Sequence, residues 1–329
     1  MIQTIRDFFW VVFLPVSWVY SWSVLLSFRL KKTKSPKVPT ISIGNIHSGG
    51  TGKTPLVIQI AAHYSDRKPA ILSRGYRSKL SSQGARVDLG ESNGPALFGD
   101  EPWMMANKGV ATVYIGANRK KVLETYKIET NHQLLILDDG FQHRQLNREV
   151  DLVVIPGDES PLSSNCLPAG NLREPLRALK RATVVVITCA NRNSPQLLKW
   201  KSLIAQTAPE VPVFLAERKS HWPADSRTWG AFCGIANPSR FKKDLEKTCK
   251  LQFFKSFRDH NNYSRRELEG LIKAATQASV NALLTTEKDF PKVESFFRER
   301  GVPLFAVPVS YELPDDFWAF LEKRIEKAC

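Results

Sequence analysis

The chain of 329 residues is long for a single hydrophobic core, so two domains are expected. Its 43% hydrophobic content excludes a disordered chain, and its net charge of +15 indicates an anionic partner such as nucleic acid, anionic lipid or a phosphorylated substrate. The cysteines stand far apart and form no C-x-x-C pair, which argues against a zinc site or a disulfide framework and favours a reducing compartment.

An apolar segment without charged residues covers residues 8–28, and lysines follow it at positions 31, 32, 34 and 37. Its length permits a membrane span, but its serines and tryptophans favour the headgroup zone, where the lysines would attract anionic lipid. We therefore expect residues 1–30 to form a helix that lies on or dips into the inner face of a membrane. A buried core helix and a secretory signal peptide are the alternatives, and the second lacks an A-x-A-like cleavage site.

A glycine-rich turn follows the β-branched run 38–43 and opens into an apolar stretch, which is the strand–loop–helix context of a phosphate-binding loop. The backbone amides of the loop are expected to bind phosphate oxygens, with the lysine on the β- and γ-phosphates and the threonine hydroxyl on Mg²⁺. The P-loop pattern has glycine where this chain has His47, so an ordinary glycine-rich turn is the alternative. The predicted nucleotide site consists of Gly49, Gly50, Thr51, Gly52, Lys53 and Thr54.

Strands and helices alternate over residues 38–155, which predicts an α/β domain with a mostly parallel sheet and helices on both faces. Further apolar strands are expected at 183–188 and 211–215. The composition changes after residue 219, so the ATP-binding domain is predicted over 31–218 and a second, smaller α/β domain over 219–329. Strands of this second domain are predicted at 228–233, 251–254, 282–285 and 303–309.

The apolar strand 134–137 ends in two adjacent carboxylates, Asp138 and Asp139. An acidic residue at such a strand end holds Mg²⁺ in many nucleotide hydrolases and kinases. Adjacent side chains on a strand point to opposite sides, so one carboxylate is expected to face the metal and the other a different part of the site. An Asp-Asp-Gly turn without function is the alternative.

An acid–base pair is expected elsewhere in the chain. His260 lies in a polar loop before a helix that begins near residue 264, and a carboxylate beside it would make it a base for a substrate hydroxyl. Asp100 precedes another helix, where an acidic residue is commonly only a cap. Polar side chains after apolar segments are candidates for binding substrate phosphate, with a solvated basic loop as the alternative: Arg74, Arg119, Asn171 and Arg173.

Together these segments resemble the tetraacyldisaccharide 4'-kinase family, the lipid A 4'-kinases, over nearly the whole chain. The segments that carry the resemblance are SIGN at 42–45, GGTGKTP at 49–55, SRGY at 73–76, GDEP at 99–102, DDGFQH at 138–143, PAG at 168–170, LREP at 172–175, Gly234 with NP at 237–238 and RF at 240–241, DH at 259–260 and TEKD at 286–289.

The resemblance implies an enzyme that transfers the ATP γ-phosphate to the 4'-hydroxyl of an acylated glucosamine disaccharide 1-phosphate, with Mg²⁺, at the cytoplasmic face of the bacterial inner membrane. It implies a catalytic pair of Asp100 and His260, together with Lys53. The implied metal ligands are Thr54, Asp138, Asp139 and Glu174. One departure is visible, since the family's usual Asp-His-His loop has asparagine at position 261 here.

The alternative function is a P-loop ATPase or GTPase that drives a membrane partner and has no lipid acceptor. A nucleic-acid-stimulated ATPase is disfavoured, because the basic residues form no stripe interleaved with aromatic side chains. The expected partners are therefore a lipid disaccharide phosphate and an anionic membrane surface, with no nucleic acid, and the protein is expected to be a monomer.

Overall fold

The computed structural model describes residues 17, 33–91, 93–161, 165–221, 227–247 and 249–327. The helix predicted over residues 1–30 lies outside these described residues, apart from Ser17. None of the described helices combines the length and the hydropathy that crossing a bilayer requires.

The described part of the chain alternates between strands and helices, as predicted for an α/β protein. The strands are β1 (Thr40–Gly44), β2 (Ala70–Ser73), β3 (Ala85–Arg86), β4 (Thr112–Ile115), β5 (Leu135–Asp138), β6 (Val150–Pro156), β7 (Val184–Cys189), β8 (Val213–Ser220), β9 (Trp229–Cys233), β10 (Leu251–Ser256), β11 (Ala282–Thr286), β12 (Leu304–Val307) and β13 (Val309–Glu312). The helices are α1 (Lys53–His63), α2 (Gly94–Phe98), α3 (Asp100–Asn107), α4 (Arg119–Thr125), α5 (Ile128–Asn131), α6 (Pro195–Thr207), α7 (Pro238–Glu246), α8 (Arg265–Gln277), α9 (Phe290–Glu299) and α10 (Asp315–Glu326), with short 3₁₀ turns at Ser65–Arg67 and Leu176–Arg181.

The larger sheet has nine strands in the order β13-β8-β7-β6-β1-β5-β2-β4-β3, with the P-loop strand β1 at its centre. Its strands are parallel except at the two edges, where β3 runs antiparallel to β4 and β13 antiparallel to β8. Both faces are covered, because successive side chains of a strand point to opposite sides. Along β6, Leu152 and Val154 pack on the face that α1 covers, while Val153 and Ile155 pack towards α6.

The smaller sheet has four parallel strands in the order β10-β9-β11-β12. Phe241 and Leu245 of α7 pack on one face, and helices α8 and α9 cover the other. Helix α8 begins after Ser264, whose side chain accepts the amide of Glu267 in a capping box. The mostly parallel α/β fold and the second, smaller α/β unit were both predicted from the sequence.

The strand predicted over 303–309 is in fact two strands that belong to different sheets. Pro308 has no N–H to donate, so pairing ends there; β12 lies in the smaller sheet and β13 in the larger one. Helix α10 then packs Phe317, Leu321 and Ile325 into the core around α1. Residues 309–326 were predicted to belong to the second domain, but they pair and pack with the first.

Candidate active site

A cleft of about 950 Å³ lies between the two domains, at the carboxyl ends of the central strands of the larger sheet. Ligands of open α/β sheets bind at this end of the strands, because the loops that follow the strands meet there. The P-loop, the end of β2 and the end of β5 line it from the first domain, and the loops after β9, β10 and β11 line it from the second.

The P-loop ends at Gly52, directly before α1, and Gly52 has a φ of +85°. A Cβ at this position would overlap the hydroxyl of Tyr311, so both the backbone conformation and the available space require glycine. Within the loop, Asn45 donates from Nδ2 to the Thr51 hydroxyl at 2.8 Å. Gly52, Lys53 and Thr54 line the cleft, so the N-terminus of α1 lies beside it, which is the usual place for binding phosphate.

His47, which stands where the P-loop pattern has glycine, turns away from the phosphate side. Its backbone forms an antiparallel bridge with Leu172, and its ring packs edge-on against Trp200 with the centroids 5.2 Å apart. Burial and then the charge of Lys53 lower the pKa of His47 from 6.5 to about 4, so the imidazole is neutral near pH 7. His47 is not among the described residues with positive φ, so a side chain fits here without strain.

Asp139, one of the two carboxylates after β5, contacts two cations. Its Oδ1 lies 3.1 Å from the Nζ of Lys53, and its Oδ2 lies 2.7 Å from the Nη1 of Arg173. Burial raises the pKa of Asp139, but the charges of Lys53 and Arg173 outweigh burial and lower it well below its usual range. Asp139 is therefore ionised and holds the P-loop lysine in place.

Asp138 has a different environment. It is 3% exposed, its Oδ2 accepts a hydrogen bond from the Ser73 hydroxyl at 2.8 Å, and its Oδ1 has no hydrogen-bond donor among the residues that the structure describes. Burial, followed by the negative charges of Glu101 and Asp139, raises the pKa of Asp138 to about 6. A buried carboxylate oxygen that lacks a donor is suited to binding a cation.

The side-chain oxygens of Asp138 and Thr54 are suited to binding Mg²⁺ that arrives with a nucleotide. Among the residues that the structure describes, no three His, Cys, Asp or Glu side chains are grouped so as to hold a metal. Mg²⁺ does not need such a cage, since one or two protein oxygens commonly hold it together with water and substrate phosphates. Asp138 and Thr54 line the cleft together and can supply those two oxygens.

The candidate substrate-binding residues are divided between the cleft and its rim. Arg74, Arg119 and Arg173 line the large cleft, whereas Asn171 lines a smaller adjoining pocket of about 230 Å³ beside the P-loop. Arg119 is 3% exposed and donates to the backbone carbonyls of Asp138 and Asp139. The Asn171 carbonyl accepts the amide of Ser48 at 2.7 Å. Arg119 and Asn171 therefore fix the backbone of the site.

The structure does not bring Glu174 to the cleft. This residue is completely buried, and its Oε1 accepts hydrogen bonds from Gln142 at 2.9 Å and from Arg181 at 2.7 Å. Its Oε2 lies 3.6 Å from the Nη2 of Arg144. These contacts are those of a buried ion pair, and Thr54 and Asp138 are not among them.

Asp100 and His260 meet across the cleft, from α3 of the first domain and the loop after β10 of the second. The Oδ2 of Asp100 lies 3.0 Å from the Nδ1 of His260 and 2.7 Å from the Nζ of Lys292. Burial raises the pKa of Asp100, but the hydrogen bond to His260 and the charge of Lys292 outweigh burial and lower it. When Nδ1–H donates to an ionised Asp100, Nε2 is left as an acceptor, which is the form of histidine that acts as a general base.

The asparagine at position 261 does not disturb this pair. The carbonyl of Asn261 accepts a hydrogen bond from Lys292 at 3.2 Å, and its side chain lies 3.5 Å from Glu267 of α8. His260 thus reaches Asp100 without a second histidine beside it.

Sequence reasoning missed three cations from the second domain. Lys288 and Lys292 contact the His260–Asp100 pair, and Arg240 donates to the carbonyl of Gly50 in the P-loop at 3.2 Å. Lys288 belongs to the TEKD segment that carries the family resemblance, and this segment follows the buried strand β11. Its position at the carboxyl end of a parallel strand was the signal that could have pointed to the site.

A phosphate-binding loop and an acid–base pair on opposite sides of one cleft define the class of P-loop phosphotransferases. Comparison with known proteins narrows the class. A family model described as tetraacyldisaccharide-1-P 4'-kinase matches residues 9–326, and the chain belongs to this family.

Relatives named tetraacyldisaccharide 4'-kinase include one from Desulfotalea psychrophila, which is 34% identical over 89% of this chain and 87% of that protein. Another, from Shewanella pealeana, is 33% identical over 96% of this chain and 92% of its own length. Among solved structures, LpxK from Aquifex aeolicus in complex with ATP is 28% identical, with a TM-score of 0.74 over 97% of this chain and 99% of that one. The resemblance predicted from sequence motifs is thereby confirmed.

Proposed function

We propose that this chain transfers the γ-phosphoryl group of ATP to the 4'-hydroxyl of a tetraacylated glucosamine disaccharide 1-phosphate. Membership of the family supplies the reaction and the acceptor. The observation that carries the proposal is the 3.0 Å contact between Asp100 and His260, since it brings a base for a hydroxyl into the cleft that the P-loop lines.

In this proposal the triphosphate lies on the amides of residues 49–52 and the first turn of α1. Lys53, steadied by Asp139, contacts the β- and γ-phosphates. Thr54 and Asp138 would hold Mg²⁺, which supplies charge neutralisation of the phosphates when bound.

His260 is the proposed general base. Its Nε2 takes the proton of the acceptor hydroxyl while the oxygen forms a bond to the γ-phosphorus and the bond to the β–γ bridging oxygen breaks. Asp100 stabilises the imidazolium through Nδ1–H. ADP leaves, and the proton passes from His260 to solvent.

We further propose that Arg74 and Arg173 bind the anionic acceptor, while Arg119 and Asn171 hold the backbone around it. The acceptor is a lipid, so we place the enzyme at the cytoplasmic face of the inner membrane, with residues 8–28 lying on the bilayer or dipping into it. We also propose that it acts as a monomer. The net charge of +15 supports contact with anionic headgroups.

The test is transfer of labelled γ-phosphate from ATP to a defined acylated disaccharide 1-phosphate in mixed micelles, with the product position mapped by NMR. Label on the 4'-oxygen is expected, and its loss in His260→Ala but not in His63→Ala, a histidine on the far end of α1, would support the assigned base. ATP consumption that is indifferent to the lipid would overturn the proposal in favour of an ATPase that drives a membrane partner.

A further inference from the structure

We propose that Lys288 is a further catalytic residue, whose ammonium group contacts the phosphoryl group while it is transferred. The observation behind this inference is that the Nζ of Lys288 lies 3.1 Å from the Nε2 of His260. The inference rests on the proposed kinase function and adds a residue from the second domain to the machinery of that site.

Lys288 is held loosely by acceptors that can release it. Besides His260, its Nζ contacts the Oδ1 of Asp259 at 3.1 Å and lies 3.9 Å from the Oε1 of Glu101. Its side chain is 13% exposed and lines the cleft, so its charge faces the space in which substrates bind. Asp259 is 39% exposed, which makes that ion pair weak, because water screens it.

The ammonium of Lys288 occupies the place beside His260 that the acceptor hydroxyl needs. Nε2 of His260 is the atom that must accept the hydroxyl proton, so the acceptor hydroxyl has to occupy the place that Lys288 takes here. The displaced ammonium stays within side-chain reach of this place, where the attacking oxygen and the γ-phosphorus come together. Charge develops on the phosphoryl oxygens at that point, and a partly buried cation there stabilises this charge more than a fully hydrated cation would.

The charge that His260 gains during the reaction also favours a contact between Lys288 and the phosphoryl group. The ammonium of Lys288 is not repelled by the neutral imidazole of His260. It is repelled by the imidazolium that forms when His260 takes the hydroxyl proton. Contact with the phosphoryl oxygens replaces that repulsion by attraction. Lys288 keeps its three protons throughout, so the proton balance of the reaction is unchanged: the hydroxyl proton goes to His260 and then to solvent.

The neighbouring cations have other partners. Lys292 is 6% exposed and binds Asp100 at 2.7 Å, so it is a positioning residue for that carboxylate. Arg240 donates to the carbonyl of Gly50. Among the described residues that line the cleft from the second domain, Arg240 and Lys288 are the cations, and of these two only Lys288 contacts His260.

The experiment compares Lys288→Met with Lys273→Met, a control that removes an exposed lysine from α8 in the same domain. Phosphate transfer to the lipid acceptor and ATP binding by calorimetry are measured for both. We expect Lys288→Met to lower kcat at least about 30-fold, because phosphoryl-stabilising cations contribute on this scale or more. Its Kd for ATP should change less than about threefold, since the contact is made in transfer and not in binding ATP. Lys273→Met should match the wild type.

Chemical rescue separates a charge effect from a folding effect. Lys288→Cys, treated with 2-bromoethylamine to rebuild a lysine-like side chain, should regain most of its kcat, while the wild type treated in the same way reports damage at the native cysteines. A kcat of Lys288→Met that is within threefold of the wild-type value, or higher than it, would overturn the inference. Lys288 would then only occupy Nε2 of His260 in the enzyme without substrate. Absence of transfer by the wild type would instead refute the proposed function.

Discussion

The Oδ2 of Asp100 lies 3.0 Å from the Nδ1 of His260, although the two residues come from different domains and are 160 positions apart in the chain. The contact joins the P-loop domain to the domain of the smaller sheet across the cleft. It also fixes which nitrogen of His260 is free to act as a base, because the Asp100 carboxylate can only accept a hydrogen bond.

Replacement of Asp100 by asparagine tests this relationship. An amide retains the shape of the side chain but carries no charge to support an imidazolium, so kcat for phosphate transfer is expected to fall at least about 100-fold, as for comparable changes in carboxylate–histidine pairs. Steady-state turnover with saturating ATP and acceptor is the measurement. Asp66→Asn, in an exposed turn, serves as the control, and turnover within threefold of the wild type in Asp100→Asn would show that the carboxylate is not needed.

The space above Gly52 gives a prediction for nucleotide binding. Gly52→Ala should abolish measurable ATP binding by calorimetry, because the new methyl group would overlap the Tyr311 hydroxyl and strain a backbone with φ of +85°. Gly109→Ala is the matched control: its φ is +68°, but no atom of the described part of the chain beyond its two neighbours lies within 4 Å of a Cβ there. It should lose stability on the order of 1 kcal/mol and bind ATP normally. Equal ATP affinity of the two variants would contradict this view of the loop.

Arg218 on β8 links the two domains through a partly buried ion-pair triad. It lies 2.9 Å from Asp158, which follows β6, and 2.9 Å from Asp244 on α7, and its own side chain is 6% exposed. Arg218→Met removes the cation between the two carboxylates and leaves Asp244 with only the exposed Lys247, whose Nζ lies 3.8 Å from its Oδ1. We expect a loss of about 3 kcal/mol in the free energy of unfolding, at the lower end for broken buried pairs because both aspartates retain some exposure.

Urea unfolding of the full chain measures this loss. Arg192→Met is the control, since Arg192 is 51% exposed and pairs with Glu217 at the surface, and it should change stability by less than about 1 kcal/mol. Similar midpoints for the two variants would mean that the triad contributes no more than a surface pair.

The buried His47 predicts a pH dependence of stability. Its pKa is lowered to about 4 in the folded protein, below the value of 6.5 expected in the unfolded chain. The unfolded state therefore binds a proton between these two values that the folded state does not. The free energy of unfolding should fall as the pH drops from about 6.5 to 4, by up to about 1.4 kcal/mol per pH unit from this group.

His47→Gln removes the titrating ring and should show a shallower decline than the wild type within that window. Urea titrations at pH 7, 6 and 5 provide the comparison. Parallel curves for the two proteins would show that His47 is already accessible to protons in the folded state.

The sequence predicted the parts of the fold that depend on local pattern. Continuous apolar runs gave the central strands β1, β5, β6 and β7, and the glycine loop before α1 identified the nucleotide site. Asp138 and Asp139 were placed at the right strand end, but their different surroundings depend on Ser73, Arg173 and Lys53, which only the folded chain brings together.

The remaining differences have physical causes that a linear pattern does not contain. Pro308 interrupts what reads as one apolar strand, and Val309 then pairs with Ser220, 89 positions earlier in the larger sheet. Glu174 follows a basic residue in a loop that looks exposed, yet Arg181 and Gln142 enclose it. Lys288 and Lys292 belong to the site because they contact His260 and Asp100, which come from distant parts of the chain.

The register between β8 and β13 determines how the smaller domain is attached. Ser220, the last residue of β8, is the register partner of Val309, the first of β13, and the amide of His221 donates to the carbonyl of Pro308 at 3.0 Å. The outgoing and returning chains therefore leave the larger sheet side by side, at the end of the paired strands β8 and β13. Because both covalent connections lie at one place, the smaller domain can rotate about it once the non-covalent contacts across the cleft are released. A small rotation there gives a large displacement of the part of the domain that lies farthest from the connection.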